Sequence, residues 1–156
     1  MDADQNGATQ VVRASRDVKA PPETIFELIA DPARQPEWDG NDNLVEAPGG
    51  QRVQQVGDVF TMTLTNGKVR ENHVVEFEEA RSLAWKPASP GEPPAGHLWR
   101  WTLEPRPGGT TRVTHTYDWS GLTDPARMDR ARATTAEMLQ SSIDRLSERA
   151  EADGPT

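Results

Sequence analysis

The chain has 156 residues, the span of one domain, with 34% hydrophobic and 27% charged residues, five tryptophans and no cysteine. The lack of cysteine excludes disulfides, thiol nucleophiles and thiolate metal sites. A net charge of −8 disfavours nucleic acid and anionic membranes as partners, because binding phosphates needs a concentration of Lys and Arg that this chain offsets with Asp and Glu.

Residues 1–8 are polar and 151–156 small and acidic, so both read as fraying tails around one ligand-binding domain over 9–150. No apolar run approaches the roughly 20 residues of a membrane span, and MDADQNGATQ lacks the basic and apolar parts of a signal peptide, so a cytoplasmic location without membrane insertion is expected. Thr9 to Val18 mixes β-branched and polar residues as a strand does. Pro22 and Glu23 then start a helix with Ile25, Phe26, Leu28 and Ile29 on its buried face, and Asp31-Pro32 stops it. A short helical turn around Ala33 to Trp38 follows. Leu44 to Glu46 and Arg52 to Val56 read as two strands or as one interrupted at Pro48-Gly49-Gly50.

The alternation Phe60-Thr-Met62-Thr-Leu64, then Asn66-Gly67, then a strand over Lys68 to Glu79 predicts a hairpin, with Asn-Gly suited to the positive φ angles of a type I′ turn. Ser82 to Lys86 is a short strand, followed by an irregular loop carrying Pro87, Pro90, Pro93 and Pro94. Two long alternating segments, His97 to Glu104 and Arg112 to Trp119, form a second hairpin whose odd positions carry the bulk. Asp124 caps a single amphipathic helix predicted from Pro125 to Ala150, with Met128, Ala131, Thr135, Met138, Leu139, Ile143 and Leu146 on its inner stripe. The order of elements is that of an α+β sheet covered on one face, and a long antiparallel sheet that curls under a helix leaves a cavity.

Several segments resemble the START-like polyketide cyclase/dehydrase superfamily, which includes the Bet v 1-type proteins, in its small bacterial members. The resemblance rests on Val18-Lys-Ala-Pro21-Pro22-Glu-Thr-Ile25-Phe26 through Trp38-Asp39, on Gly57-Asp58-Val-Phe60, on Leu83-Ala-Trp85, on Trp99-Arg-Trp101-Thr-Leu103-Glu, and on Gly108-Gly109 through Val113. It covers about residues 9 to 150. It implies a helix-grip fold: a curved seven-stranded antiparallel sheet around a long C-terminal helix, two short helices after the first strand, and an apolar cavity between them. Members include lipid and hormone carriers, polyketide aromatase/cyclases and quinone-binding proteins.

Strand parity predicts that His73 points inward with Val75 and Phe77, and His115 with Val113, Tyr117 and Trp119. His73, His115 and Tyr117 are therefore the candidate acid/base groups, although the ordinary reading of each histidine is a hydrogen-bonded polar spot in a partly wet cavity. Trp99, Trp101, Tyr117 and Trp119 form a candidate aromatic wall, with Met62, Phe77, Met128, Thr135 and Met138 as further candidate lining. His97, beside the Pro-rich loop, is expected to be exposed, and Lys68, Lys86, Arg100 and Arg112 to be solvated. His73-x-x-Glu76 divides its side chains between two faces of a strand and no HExxH motif exists, so no metal site is expected; no cofactor motif is present either. The expected function is binding of a small, mostly apolar molecule such as a polyketide, lipid or quinone by a monomer or weak homodimer. A cyclase/aromatase-like enzyme using the cavity His and Tyr is the alternative, and a protein-interaction module the third.

Overall fold

The computed structural model describes residues 10–39 and 44–152. Residues 1–8 lie outside the described part. Seven antiparallel strands form one sheet in the order β1-β7-β6-β5-β4-β3-β2. They are β1 (Val11–Val18), β2 (Leu44–Glu46), β3 (Val59–Leu64), β4 (Val69–Glu78), β5 (Ser82–Ala88), β6 (Leu98–Arg106) and β7 (Thr110–Asp118). Six of them have six to ten residues; β2 is a three-residue strand at the sheet's edge. Arg52 to Val56 forms no strand.

Helix α1 (Pro22–Ala30) begins at Pro22 as its composition predicts, and Ile25, Phe26, Leu28 and Ile29 are fully buried. Asp31 ends it and accepts a hydrogen bond from the Ala33 amide, which starts a 3-10 helix over Pro32–Glu37. Two side chains tie this segment back to α1. Gln35 Nε2 donates to the Ile29 carbonyl (2.9 Å) and Trp38 Nε1 to the Leu28 carbonyl (2.7 Å), satisfying carbonyls that the helix end leaves open.

The β3–β4 hairpin forms with a different turn from the expected type I′. Among the described residues Ala80 is the one non-glycine with positive φ, so Asn66 cannot supply a left-handed position; Gly67, at φ 84°, does. Gly67 N–H donates to the Leu64 carbonyl (2.9 Å) and Leu64 N–H to the Lys68 carbonyl (2.8 Å), giving a three-residue loop closed by a left-handed glycine. The Asn66 side chain instead accepts from the Lys68 amide (2.9 Å).

A bulge in β4 overturns the expected orientation of His73. Val74 pairs with Trp85, but Glu76 pairs with Ala84, so Val75 is the extra residue and parity reverses across it. Asn72 and Val74 point inward with Phe77, while His73 faces outward between Val59 and Lys86, and Val75 is exposed.

The single C-terminal helix is two helices, α2 (Pro125–Ala133) and α3 (Ala136–Ala152). Thr134 leaves the helix with extended backbone (φ −78°, ψ 118°), its hydroxyl donating to the Arg130 carbonyl (3.0 Å), and Thr135 Oγ1 accepts from the Met138 amide (3.3 Å). Two adjacent β-branched hydroxyl residues thus cap two helices where one was expected, because their side chains compete for the backbone groups that a continuous helix would pair. Helix α3 continues past Ala150, so residues 151 and 152 are helical and not part of a tail. It packs on β1 and α1. Arg16–Asp144 (2.9 Å) and the Lys19 amide to Glu151 (3.0 Å) fix it there. Among the described residues no helix is long and apolar enough to cross a membrane.

Candidate functional site

Because α3 covers the β1 end of the sheet, the inner face of β3 to β7 is left under α2 and the start of α3, and a cavity of about 930 Å³ opens there. Its inner wall is aromatic. Trp85, Trp99 and Trp101 stand on neighbouring strands, with Trp85 opposite Trp99 in the register. His115 is sandwiched, its ring 3.8 Å from that of Trp101 and 5.4 Å from that of Trp99, both nearly parallel. Tyr117 lies 4.3 Å from Trp99, and Trp38 meets Trp101 edge-on at 5.1 Å, closing the end that the 3-10 helix covers. Met62, Asn72, Gln35 and Met138 complete the lining that matters for shape and polarity.

The polar groups have defined states. His115 is 4% exposed, and burial pushes its pKa down to about 3. The ring is therefore neutral at pH 7, and its Nδ1 lies 3.1 Å from the Arg100 carbonyl, which can only accept, so Nδ1 carries the proton. His97 is 8% exposed, not exposed as its place beside the Pro-rich loop suggested. Burial, reinforced by the positive charges of Arg127, Arg70 and Arg130, lowers its pKa to about 4. Burial raises the Tyr117 phenol to about 12, so it stays protonated. His97 Nδ1 and Trp101 Nε1 are buried without a hydrogen-bond partner among the described residues.

Of the residues selected from the sequence, Met62, Trp99, Trp101, His115, Tyr117 and Met138 line the cavity. The other five do not. His73 is on the outer face for the reason given above. Phe77 packs edge-on against Phe26 (5.7 Å) in the main core, beyond the bulge. Trp119 and Met128 belong to a second core cluster with Leu122 and Ala131. Thr135 is exposed, because it caps α3 instead of riding a helical stripe. Sequence reading missed Asn72, Trp85, His97 and the arginines Arg70, Arg127 and Arg130 as lining. Trp85 was legible in principle, as it shares the parity of Leu83 on a strand of buried residues. Arg100 and Arg112 face out, Arg100 bonded to Glu76 (2.9 Å) and Arg112 to Asp17 (3.3 Å). Among the described residues no cluster of three His, Asp or Glu is placed to hold a metal ion.

Residues 9–151 match the model of the family described as polyketide cyclase/dehydrase and lipid transport. An uncharacterized protein of Mycobacterium tuberculosis is 27% identical over 119 residues, 69% of this chain and 47% of that protein, so the chain spans about half the length of the curated relatives it matches. The crystal structure of protein MLL2253 from Mesorhizobium loti superposes with a TM-score of 0.67 at 21% identity, over 94% of this chain and 99% of that one. The Aha1 dimer of Colwellia psychrerythraea superposes with a TM-score of 0.59 at 22% identity, over 88% and 96%. Both structures share the fold.

Proposed function

The chain belongs to the polyketide cyclase/dehydrase and lipid transport family, and from that premise we propose that it binds a small, mostly apolar molecule such as a polyketide, lipid or quinone in the cavity under α2 and α3. The tryptophan wall carries this reading. Three indoles presented on adjacent strands give a planar ligand a large apolar face with restricted side-chain freedom, so that little ordering opposes binding. A volume of about 930 Å³ lies in the range of sites that enclose most of a small molecule's surface. Asn72, Tyr117 and His115 offer a few hydrogen-bonding groups to orient it.

Binding is favoured over acid/base catalysis by the protonation states of the candidates. An effective general acid or base has a pKa near the working pH. The values of about 3 for His115, about 4 for His97 and about 12 for Tyr117 leave none of them poised to exchange a proton at pH 7.

Native mass spectrometry of protein purified without denaturation is expected to reveal a retained small molecule. His115→Gln is expected to change the affinity for that molecule by about ten-fold at most, in line with the ~0.5–1.5 kcal/mol of a neutral hydrogen bond. Conversion of the molecule by the wild type, falling ~100-fold or more in His115→Gln with binding intact, would overturn the carrier reading in favour of a cyclase.

A further inference from the structure

The chain carries a net charge of −8, yet the rim of its cavity is basic. Lys68, Arg70, Arg127 and Arg130 line it, against the carboxylates of Asp39 and Asp124. Many arginines elsewhere in the molecule are held by carboxylates, as Arg52 is by Glu27 and Glu79 and Arg100 by Glu76, while Arg13, Arg81 and Arg145 stand apart from one another without such a partner among the described residues. Among the described residues, the one rim cation so held is Arg127, at 3.4 Å from Asp124 and with a second bond to Ser89 (2.8 Å). Arg70 and Arg130 have no carboxylate within ion-pair distance among the described residues, and Arg70 bonds only the neighbouring Val69 carbonyl (3.3 Å). Partial burial together with the charges of Arg127 and Arg130 lowers the pKa of Arg70, so the three guanidinium groups repel one another. Beside them stands buried His97, whose Nδ1 has no hydrogen-bond partner among the described residues and whose ring feels all three arginines.

Clustered like charges oppose folding unless something of opposite sign occupies the space between them. Here that space is the mouth of a cavity whose floor is tryptophan. We propose that the ligand is an anionic amphiphile: its apolar body lies against Trp85, Trp99 and Trp101, and its carboxylate, sulfonate or phosphate head sits against Arg70, Arg127 and Arg130. The inference rests on the binding function proposed above and adds the charge of the ligand to it. Guanidinium groups suit the role because their forked donors match the paired oxygens of such heads.

Two fluorescent probes with the same ring skeleton, anilinonaphthalene sulfonate and the uncharged N-phenylnaphthylamine, separate head from body. Titrated at low salt, wild type is expected to bind the sulfonate about ten-fold or more tightly than the neutral probe, and added NaCl should weaken only the sulfonate. In Arg70→Gln/Arg130→Gln the ratio of the two affinities should fall to near one, whereas Arg106→Gln, far from the cavity, should keep it. The double variant should also unfold at no lower urea than wild type, because it removes repulsion. Equal affinity of wild type for both probes, or a ratio unchanged in the double variant, would overturn the anionic head while leaving an apolar-binding cavity standing. Failure to bind either probe would sink the binding function itself and this inference with it.

Discussion

Gly96→Ala is expected to lower stability by about 3 kcal/mol or more, read as a shift of the urea midpoint, and to abolish probe binding before the domain is fully unfolded. Gly96 has φ 115°, a conformation that costs an L-residue ~1–2 kcal/mol. A Cβ there would lie 2.1 Å from the Gly121 carbonyl oxygen, 2.7 Å from its carbon and 3.0 Å from Leu122 Cα. All three are backbone atoms, so no rotamer change relieves the overlap, and the loops must separate at a further ~1–3 kcal/mol. That contact joins the segment entering β6 to the segment leaving β7, and so positions His97, Leu122 and Asp124 on the cavity wall. Gly91→Ala is the control: its φ is 77° but nothing lies within 4 Å of the added Cβ, so only the conformational part is expected. Equal losses in the two variants would mean that the close approach of the loops does not hold the site together.

Acidification is expected to destabilise the protein through its two buried histidines well before carboxylates contribute. An unfolded-state histidine takes up a proton near pH 6.5, whereas folded His97 and His115 stay neutral down to about pH 4 and about pH 3. The unfolded chain therefore binds more protons through that window. Stability is full above pH 6.5 and falls as the pH drops toward the folded values, at up to ~1.4 kcal/mol per pH unit for each histidine. From about pH 7.5 to about pH 5 this amounts to ~2 kcal/mol per histidine. Glu76, Asp144 and Glu151, whose pKa values are lowered by Arg100, by Gln140 and by the Lys19 amide respectively, act in the same direction but only at lower pH. His97→Gln and His115→Gln should each flatten the decline across that interval. Slopes identical to wild type in both variants would contradict the buried neutral state of the rings, and with it the argument against their acting as acid or base.

Much of the fold was legible because it is encoded locally. Period-two alternation in β3, β6 and β7, Pro22 at the start of α1 and the Asn66-Gly67 hairpin each need only a few neighbouring residues to read. The errors arose where one residue changes the phase of everything after it. Val75 as a bulge sends His73 outward, and Thr134-Thr135 as a double cap removes Thr135 from the inner stripe and breaks the helix. In neither case does hydrophobic periodicity announce the interruption. The candidate site divides in the same way. Trp99, Trp101, His115 and Tyr117 follow from parity on two paired strands. The basic rim does not, since Arg70 on β4 and Arg127 and Arg130 on α2, far apart in sequence, come to line one cavity only in the folded chain, and the chain's negative net charge points away from it.

The space beneath α2 and α3 is expected to admit an apolar molecule against the tryptophan wall. Titration with N-phenylnaphthylamine, followed by tryptophan emission, tests it most directly, because Trp85, Trp99 and Trp101 all border the cavity. Occupancy predicts quenching of tryptophan emission that saturates at one probe per chain, with probe emission rising in parallel. A tryptophan signal that stays flat, or that declines linearly without saturating, would contradict it.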